Sequence, residues 1–231
     1  EEHSIGEIMA YTTIDDSEAY FQVKKYTGDG TGSGSGGQAI TFDGDTNMQP
    51  DMIWIKVMDS ESSPMLSDAV RGTDGTSYRA MKPSASSAQT THAEFLLSIQ
   101  SDGFTVGSNG KFGADGDPYI AWCWVAGGGA GSSNTTGATN TTSTSVNTTS
   151  KFSISTYTGT GSATTIGHGM GVAPACIICK EAGDSGDWVM YHHKNTDAPE
   201  TDVLEWNNTT TTQDNDGMWN DTAPTSTLIT L

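Results

Sequence analysis

The residues with the widest chemical reach in this chain are acidic and sit in turns. Asp43-Gly44-Asp45, Asp115-Gly116-Asp117, Asp184 with Asp187, and Asp214-Asn215-Asp216-Gly217 all bring carboxylates close together in sequence. Hard oxygens of this kind are what Ca²⁺ takes. The last stretch matches the opening of an EF-hand loop but lacks the remaining ligands. Asp115, Asp117, Asp214 and Asp216 are therefore the candidate Ca²⁺ ligands, and no other cofactor is suggested. Asp and Gly are also the residues of tight turns, and that plainer reading competes at each position.

Flat rings are the second resource, because they stack on the apolar faces of sugars. Trp54, Trp122, Trp124 and Trp188 fall in strand-like runs and read as mostly core. Trp206 and Trp219 fall in polar, Asn-rich stretches and are the candidates for glycan contact. Cys176-Ile177-Ile178-Cys179 has redox or metal spacing, but positions i and i+3 of a strand point to opposite faces. These thiols, like Cys123, read as small buried hydrophobes. His192 and His193 diverge for the same reason, and His168 lies between glycines, so no zinc set is indicated. The glycine-rich run 30–37 lacks the Lys-Ser/Thr of a phosphate loop and reads as a flexible loop. Asn134, Asn140 and Asn147 each begin an Asn-Thr-Thr triplet, the acceptor pattern for N-glycosylation in a secretory host. The glutamates are scattered and no Ser-His-Asp arrangement is suggested, so no catalytic residues are assigned.

These residues need elements to position them, and the composition points to strands. Gly, Ser, Thr and Asn are abundant while strong helix formers are sparse. Acidic residues outnumber basic ones 28 to 10, for a net charge of −18. Such a chain repels phosphate backbones and anionic membranes, which excludes nucleic acid as an expected partner. No run approaches the ~20 apolar residues that cross a bilayer. Three cysteines are no disulfide framework. Residues 1–8 carry no signal-peptide pattern, and Met9-Ala10 looks like a natural start.

The organising stretch is Pro50-Asp51-Met52-Ile53-Trp54-Ile55-Lys56, with a second version at Pro174-Ala175-Cys176-Ile177-Ile178-Cys179-Lys180, 124 residues downstream. Tyr26-Thr27-Gly28-Asp29-Gly30 is echoed by Tyr157-Thr158-Gly159-Thr160-Gly161. The expectation is an all-β chain of two tandem antiparallel β-sandwich repeats. A lead-in occupies 1–20, with a short helical turn capped by Asp15 or Asp16. Repeat one spans 21–131, a Ser/Thr/Asn/Gly-rich linker 132–150, and repeat two 151–231. Tyr119 to Val125 carries apolar residues on both faces, which predicts a strand that is central or sandwiched between layers. Ser226 to Leu231 matches the strand at Phe104, and nothing beyond it corresponds to Tyr119–Val125. Repeat two is thus expected to lack its last strand and to leave a sheet edge open.

The motifs Tyr26-Thr27-Gly28, Pro50 to Lys56, Asp68-Ala69-Val70-Arg71-Gly72, Asp102-Gly103-Phe104-Thr105-Val106-Gly107 and Tyr119-Ile120-Ala121-Trp122-Cys123-Trp124 resemble repeat domains of tailed-phage virion proteins common in marine and cyanobacterial phages. Gly167-His168-Gly169-Met170-Gly171 and Trp219-Asn220-Asp221-Thr222-Ala223-Pro224-Thr225 resemble the second repeat, and Met9 to Asp16 the usual opening. The resemblance covers most of 9–231. It implies a lectin-like β-sandwich, concanavalin A-like or jelly-roll-like, and a virion setting, outside the cell, in a tail fibre or capsid-attached appendage. The implied partners are further copies of the chain, other virion proteins and host surface glycans; the motifs carry no active site. Two other readings stay open: a carbohydrate-binding adhesin, glycosylated and Ca²⁺-dependent, and a glycan depolymerase.

Overall fold

The computed structural model describes residues 14–231. Most of the lead-in, with the proposed start at Met9, lies outside the described residues. Its last part is a turn in which Asp16 accepts the Glu18 N–H at 2.9 Å, and the Tyr20 and Phe21 N–H groups donate to the Ser17 carbonyl. Asp16 is thus one of the two caps anticipated.

The chain is all-β. The first half holds β1 (Phe21–Thr27), β2 (Gln38–Ile40), β3 (Met52–Val57), β4 (Met65–Asp68), β5 (Ala80–Met81), β6 (Leu96–Gln100), β7 (Gly103–Val106) and β8 (Pro118–Trp124). They form a five-stranded sheet in the order β1-β8-β3-β4-β5 and a three-stranded sheet, β2-β7-β6; all pairings are antiparallel. Strand alternation explains the layering. Ile53, Ile55 and Val57 of β3 and Tyr119, Ala121 and Cys123 of β8 turn inward. There they meet Ile40, Leu96, Phe104 and Val106 of the smaller sheet, as in a β-sandwich. Each large aliphatic side chain buried this way contributes about 1.5–3 kcal/mol. The β6–β7 turn closes on Gly103, whose φ is +115° and whose added Cβ would lie 2.0 Å from the Ile40 carbonyl oxygen. As expected, β8 is central, with β1 on one edge and β3 on the other.

The opposite face of the five-stranded sheet corrects one expectation. Trp54, Trp122 and Trp124 are half-buried on that outer face, not in the core. They alternate with the inward residues, and Trp54 meets Trp122 edge-on at 6.4 Å. The row Val23, Trp122, Trp54 and Leu66 runs across four strands in register.

The second half holds β9 (Ser143–Asn147), β10 (Phe152–Thr156), β11 (Thr165–Gly167), β12 (Cys176–Cys179), β13 (Val189–His192), β14 (Asp202–Glu205), β15 (Gln213–Asp214), a one-turn helix α1 (Asp216–Trp219) and β16 (Leu228–Thr230). The stretch 132–150, read above as a linker, holds β9, which pairs with β10. Its Thr141, Thr144 and Ser145 are buried. Their hydroxyls satisfy one another and the backbone, so a stretch with few apolar residues can still pack.

The pairings of the first half recur. Ile53 faces Ser67 in β3–β4, and Ile177 faces Tyr191 in β12–β13, so both partners are shifted by 124. The Ala69 N–H donates to the Asp51 carbonyl at 2.8 Å, and the His193 N–H donates to the Ala175 carbonyl at 3.0 Å, again shifted by 124. The terminal lysines do the same work: Lys56 donates to the carbonyls of Val57 and Ser60, Lys180 to those of Glu181 and Asp184. β2 pairs with β7, and β11 pairs with β16. One expectation fails at this level: β12 is not a buried strand. It ends its sheet, β12-β13-β14-β15, and Cys176 and Ile178 are exposed.

Candidate functional site

The site is built where the two halves meet, and it begins at the key strand. Asp51 is fully buried, at 0% exposure. Its carboxylate accepts N–H groups from Ala126 at 2.7 Å, Gly128 at 2.9 Å and Gly129 at 2.5 Å. The glycine-rich run after β8 is therefore a nest of backbone donors closed around an internal carboxylate. Burial raises the pKa of Asp51; the three N–H bonds pull it back and Asp68 adds to the rise. Gly127 then donates to the Ser145 hydroxyl at 2.8 Å, which fastens β9 to this knot.

The β9–β10 hairpin carries the far wall. Asn147 Oδ1 accepts the N–H groups of Thr149 and Ser150, and Lys151 sits at φ +58°, a left-handed residue that closes the turn. Phe152 consequently lies against Trp124, rings parallel within 25° and 6.5 Å apart. Phe21 packs on Trp124 from the other strand at 5.0 Å. These rings and Tyr20 form a groove of about 340 Å³ with Ser17, Ser150 and Lys151 along its wall. That volume is at the lower end for small-ligand sites. The Ser150 hydroxyl is buried beside it without a hydrogen-bond partner among the described residues. Lys151 Nζ is anchored on the Met170 carbonyl at 3.2 Å. Aromatic rings lining an open groove are suited to the apolar face of a ring-shaped ligand.

A second contact fixes the halves. Trp206 lies 5.3 Å from Trp54 and 6.4 Å from Trp188. Trp188 Nε1 donates to the carbonyls of Lys82 at 3.0 Å and Ala85 at 3.1 Å. The Gln89 N–H reaches the Ala182 carbonyl and the Gly186 N–H the Ser86 carbonyl, both at 2.9 Å.

The residues singled out by sequence lie elsewhere. Trp206 is at the surface, but one of its faces is taken by Trp54 and Trp188. Trp219 is a correction: it is 2% exposed, and its Nε1 donates to the Asp202 carbonyl at 2.9 Å. The polar loop around it hid a core residue, because α1 turns this one side chain inward onto Tyr191. Asp115 and Asp117 lie in the turn before β8, where the Asp117 carbonyl accepts from Gly28. Asp214 pairs with Asp202 across β15 and β14, and Asp216 opens α1. Among the described residues no three His, Cys, Asp or Glu side chains gather as a metal set.

Of the Asn-Thr-Thr triplets, Asn140 is exposed, whereas Asn134 and Asn147 use Oδ1 to accept local backbone N–H groups. Cys123 is buried as expected, and burial pushes its thiol pKa well up. Cys176 departs from expectation by being exposed, and burial pushes Cys179 up to about 12. His168 is a core residue between the Thr225 carbonyl and the Met170 N–H. It lies apart from His192 and His193, which are exposed.

Asp51, Ser150, Lys151 and Phe152 were missed as site residues. Asp51 had one legible signal: an unpaired acid opens an otherwise apolar run, where its counterpart is Ala175. The family described as a domain of unknown function (DUF7483) matches residues 16–231, so the chain belongs to that family. Among curated proteins and solved structures, nothing matches it.

Proposed function

We propose that this DUF7483 chain is a non-enzymatic structural protein of a phage virion, a tail-fibre or capsid-attached building block. It assembles with copies of itself and other virion proteins and touches host surface glycans through the junction groove. The observation that carries the reading is the surface beside the groove. Phe21 is 38% and Val23 43% exposed, on one face of β1 and in register with Trp124 and Trp122. Adjacent exposed apolar residues on a chain of net charge −18 mark a contact surface. The sequence motifs supply the virion setting.

The test pairs light scattering on the purified chain with titration of host-derived surface polysaccharide, read by tryptophan fluorescence. Assembly beyond the 24.2 kDa monomer is expected, together with a fluorescence change that Phe152→Ala and Trp124→Ala abolish. A monomer that ignores polysaccharide at millimolar sugar refutes the proposal. Turnover of the polysaccharide refutes its non-enzymatic part.

A further inference from the structure

His168 follows β11 and is 4% exposed. Both ring nitrogens are engaged, and their partners fix where the proton sits. Nδ1 accepts the Met170 N–H at 3.2 Å and so carries no hydrogen. Nε2 therefore holds the proton and donates it to the Thr225 carbonyl at 3.2 Å. The backbone of His168 is held as well. Its N–H donates to the Thr227 carbonyl, and its carbonyl accepts the Ser153 hydroxyl at 2.8 Å. All of these partners are uncharged, and Asn134 and Val146, which crowd Gly167 and Gly169, add no charge. Among the described residues no carboxylate pairs with the ring. The site suits a neutral imidazole.

Met170 carries the state of the ring onward. It sits between Gly169 at φ +75° and Gly171 at φ +74°, two glycines whose missing Cβ lets the turn rotate. Its carbonyl accepts Lys151 Nζ at 3.2 Å. Lys151 is the left-handed residue that places Phe152 on Trp124, and Lys151 and Phe152 both line the groove. The N–H of Met170 thus reads the ring, and its carbonyl holds the groove wall.

We propose that His168 is an acid latch on the junction groove. A proton taken up at Nδ1 sets N–H against N–H and breaks the bond to Met170. The turn between the two glycines then swings, and Lys151 loses the carbonyl that anchors it. Burial opposes that proton and holds the His168 pKa below its ordinary value, against a smaller pull from the Thr225 bond. The charged group on this path, Lys151, is itself a cation and gives the proton no compensation. The sign follows. The unfolded chain binds the proton more readily, so the stability held in the latch is complete above pH ~6.5 and is lost as pH falls below it. The latch deepens the groove reading above and rests on it only for what is released.

The test is an NMR titration of the full chain from pH ~7.5 to ~5, followed at the His168 ring and at the Met170 and Phe152 amides. All three are expected to shift with one midpoint below 6.5. Exchange of the Met170 amide is expected to speed about tenfold once the intrinsic effect of pH is removed. In His168→Gln both amides stay flat. Should that variant misfold, the wild type decides alone: the two amides follow the His168 ring and not the exposed rings of His92, His192 or His193. A His168 that titrates with both amides unmoved, or that stays neutral until the chain unfolds, overturns the latch. Adding host-derived polysaccharide separates the two readings. Binding that weakens about tenfold on acidification in the wild type, but not in His168→Gln, supports the latch. Coupled shifts in a chain that binds no polysaccharide keep the latch and sink the glycan reading. Equal binding at both ends of the titration keeps the glycan reading and sinks the latch.

Discussion

Replacing Asp51 tests how the junction is held. In Asp51→Ala, three backbone N–H groups lose the fully buried carboxylate they donate to, the one on Ala126 buried and those on Gly128 and Gly129 partly so. Each charge-assisted bond of this type contributes about 1.5–3 kcal/mol. The substitution also removes the cost of burying a carboxylate, and the raised pKa shows that this cost outweighs the bonds' preference for the ionised form. The balance is a loss of about 3 kcal/mol. With a urea slope of about 2–3 kcal/mol per M, the unfolding midpoint falls by about 1 M. Asp51→Asn keeps an acceptor but turns an NH₂ group toward one of the donors, and falls between the two. The pH dependence carries a sign. A carboxyl whose folded pKa is raised adds stability that is complete below its unfolded pKa and fades as pH rises through the folded one. Wild type therefore gains on the non-titrating Asn variant as the solution is acidified across that window. A midpoint shift under about 0.2 M for Asp51→Ala, or a gap to Asn that closes on acidification, refutes the knot.

Two further predictions follow from single side chains. Glu94 accepts from the backbone and hydroxyls of Ser33 and Ser108, and its pKa is held down to about 2, chiefly by the Ser33 hydroxyl. Glu94→Gln is expected to cost about 1 kcal/mol after solvent screening, in full above pH ~4.5 and fading as pH falls toward 2. Urea titrations at several pH values check it. Trp188→Phe removes the indole N–H that bridges to Lys82 and Ala85. A loss of about 1 kcal/mol at the contact makes the Gln89 and Gly186 amides, which donate across it, exchange several-fold faster, as hydrogen exchange reads.

What was legible followed period two. Strands with clean alternation and aromatic or β-branched residues, such as β3 and β8, lie where the pattern put them. The lone Asp in the motif and the glycine run after β8 were both visible, but their meeting was not, because 75 or more residues separate donors from acceptor. β9 was illegible because its packing runs on hydroxyl hydrogen bonds among Thr and Ser, which look like loop composition. Trp219 failed as a surface residue because a one-turn helix left no periodicity to read. The groove needs the left-handed Lys151 to swing Phe152 onto Trp124, and nothing in Lys or its neighbours announces a positive φ.

Equal motifs came to unequal burial, and the reason is position in the sheet. Pro50 and Pro174 are both buried, and Lys56 and Lys180 cap equivalent loops through the same four-residue reach. The local instructions were therefore executed twice. What differs is the neighbour: β3 has a strand on each side, β12 on one. Inward residues of β3 reach 1–2% exposure, whereas Ile177 and Cys179 stay half-buried and Ile178 is exposed. Sequence encodes how a strand is shaped and capped, but its burial is supplied by the strand beside it. The exposure of β12 thus follows its place at the end of its sheet, and a weak β-former motif cannot account for it, since Cys-Ile-Ile-Cys is at least as apolar as the Met-Ile-Trp-Ile of β3, in which Ile53 and Ile55 are buried.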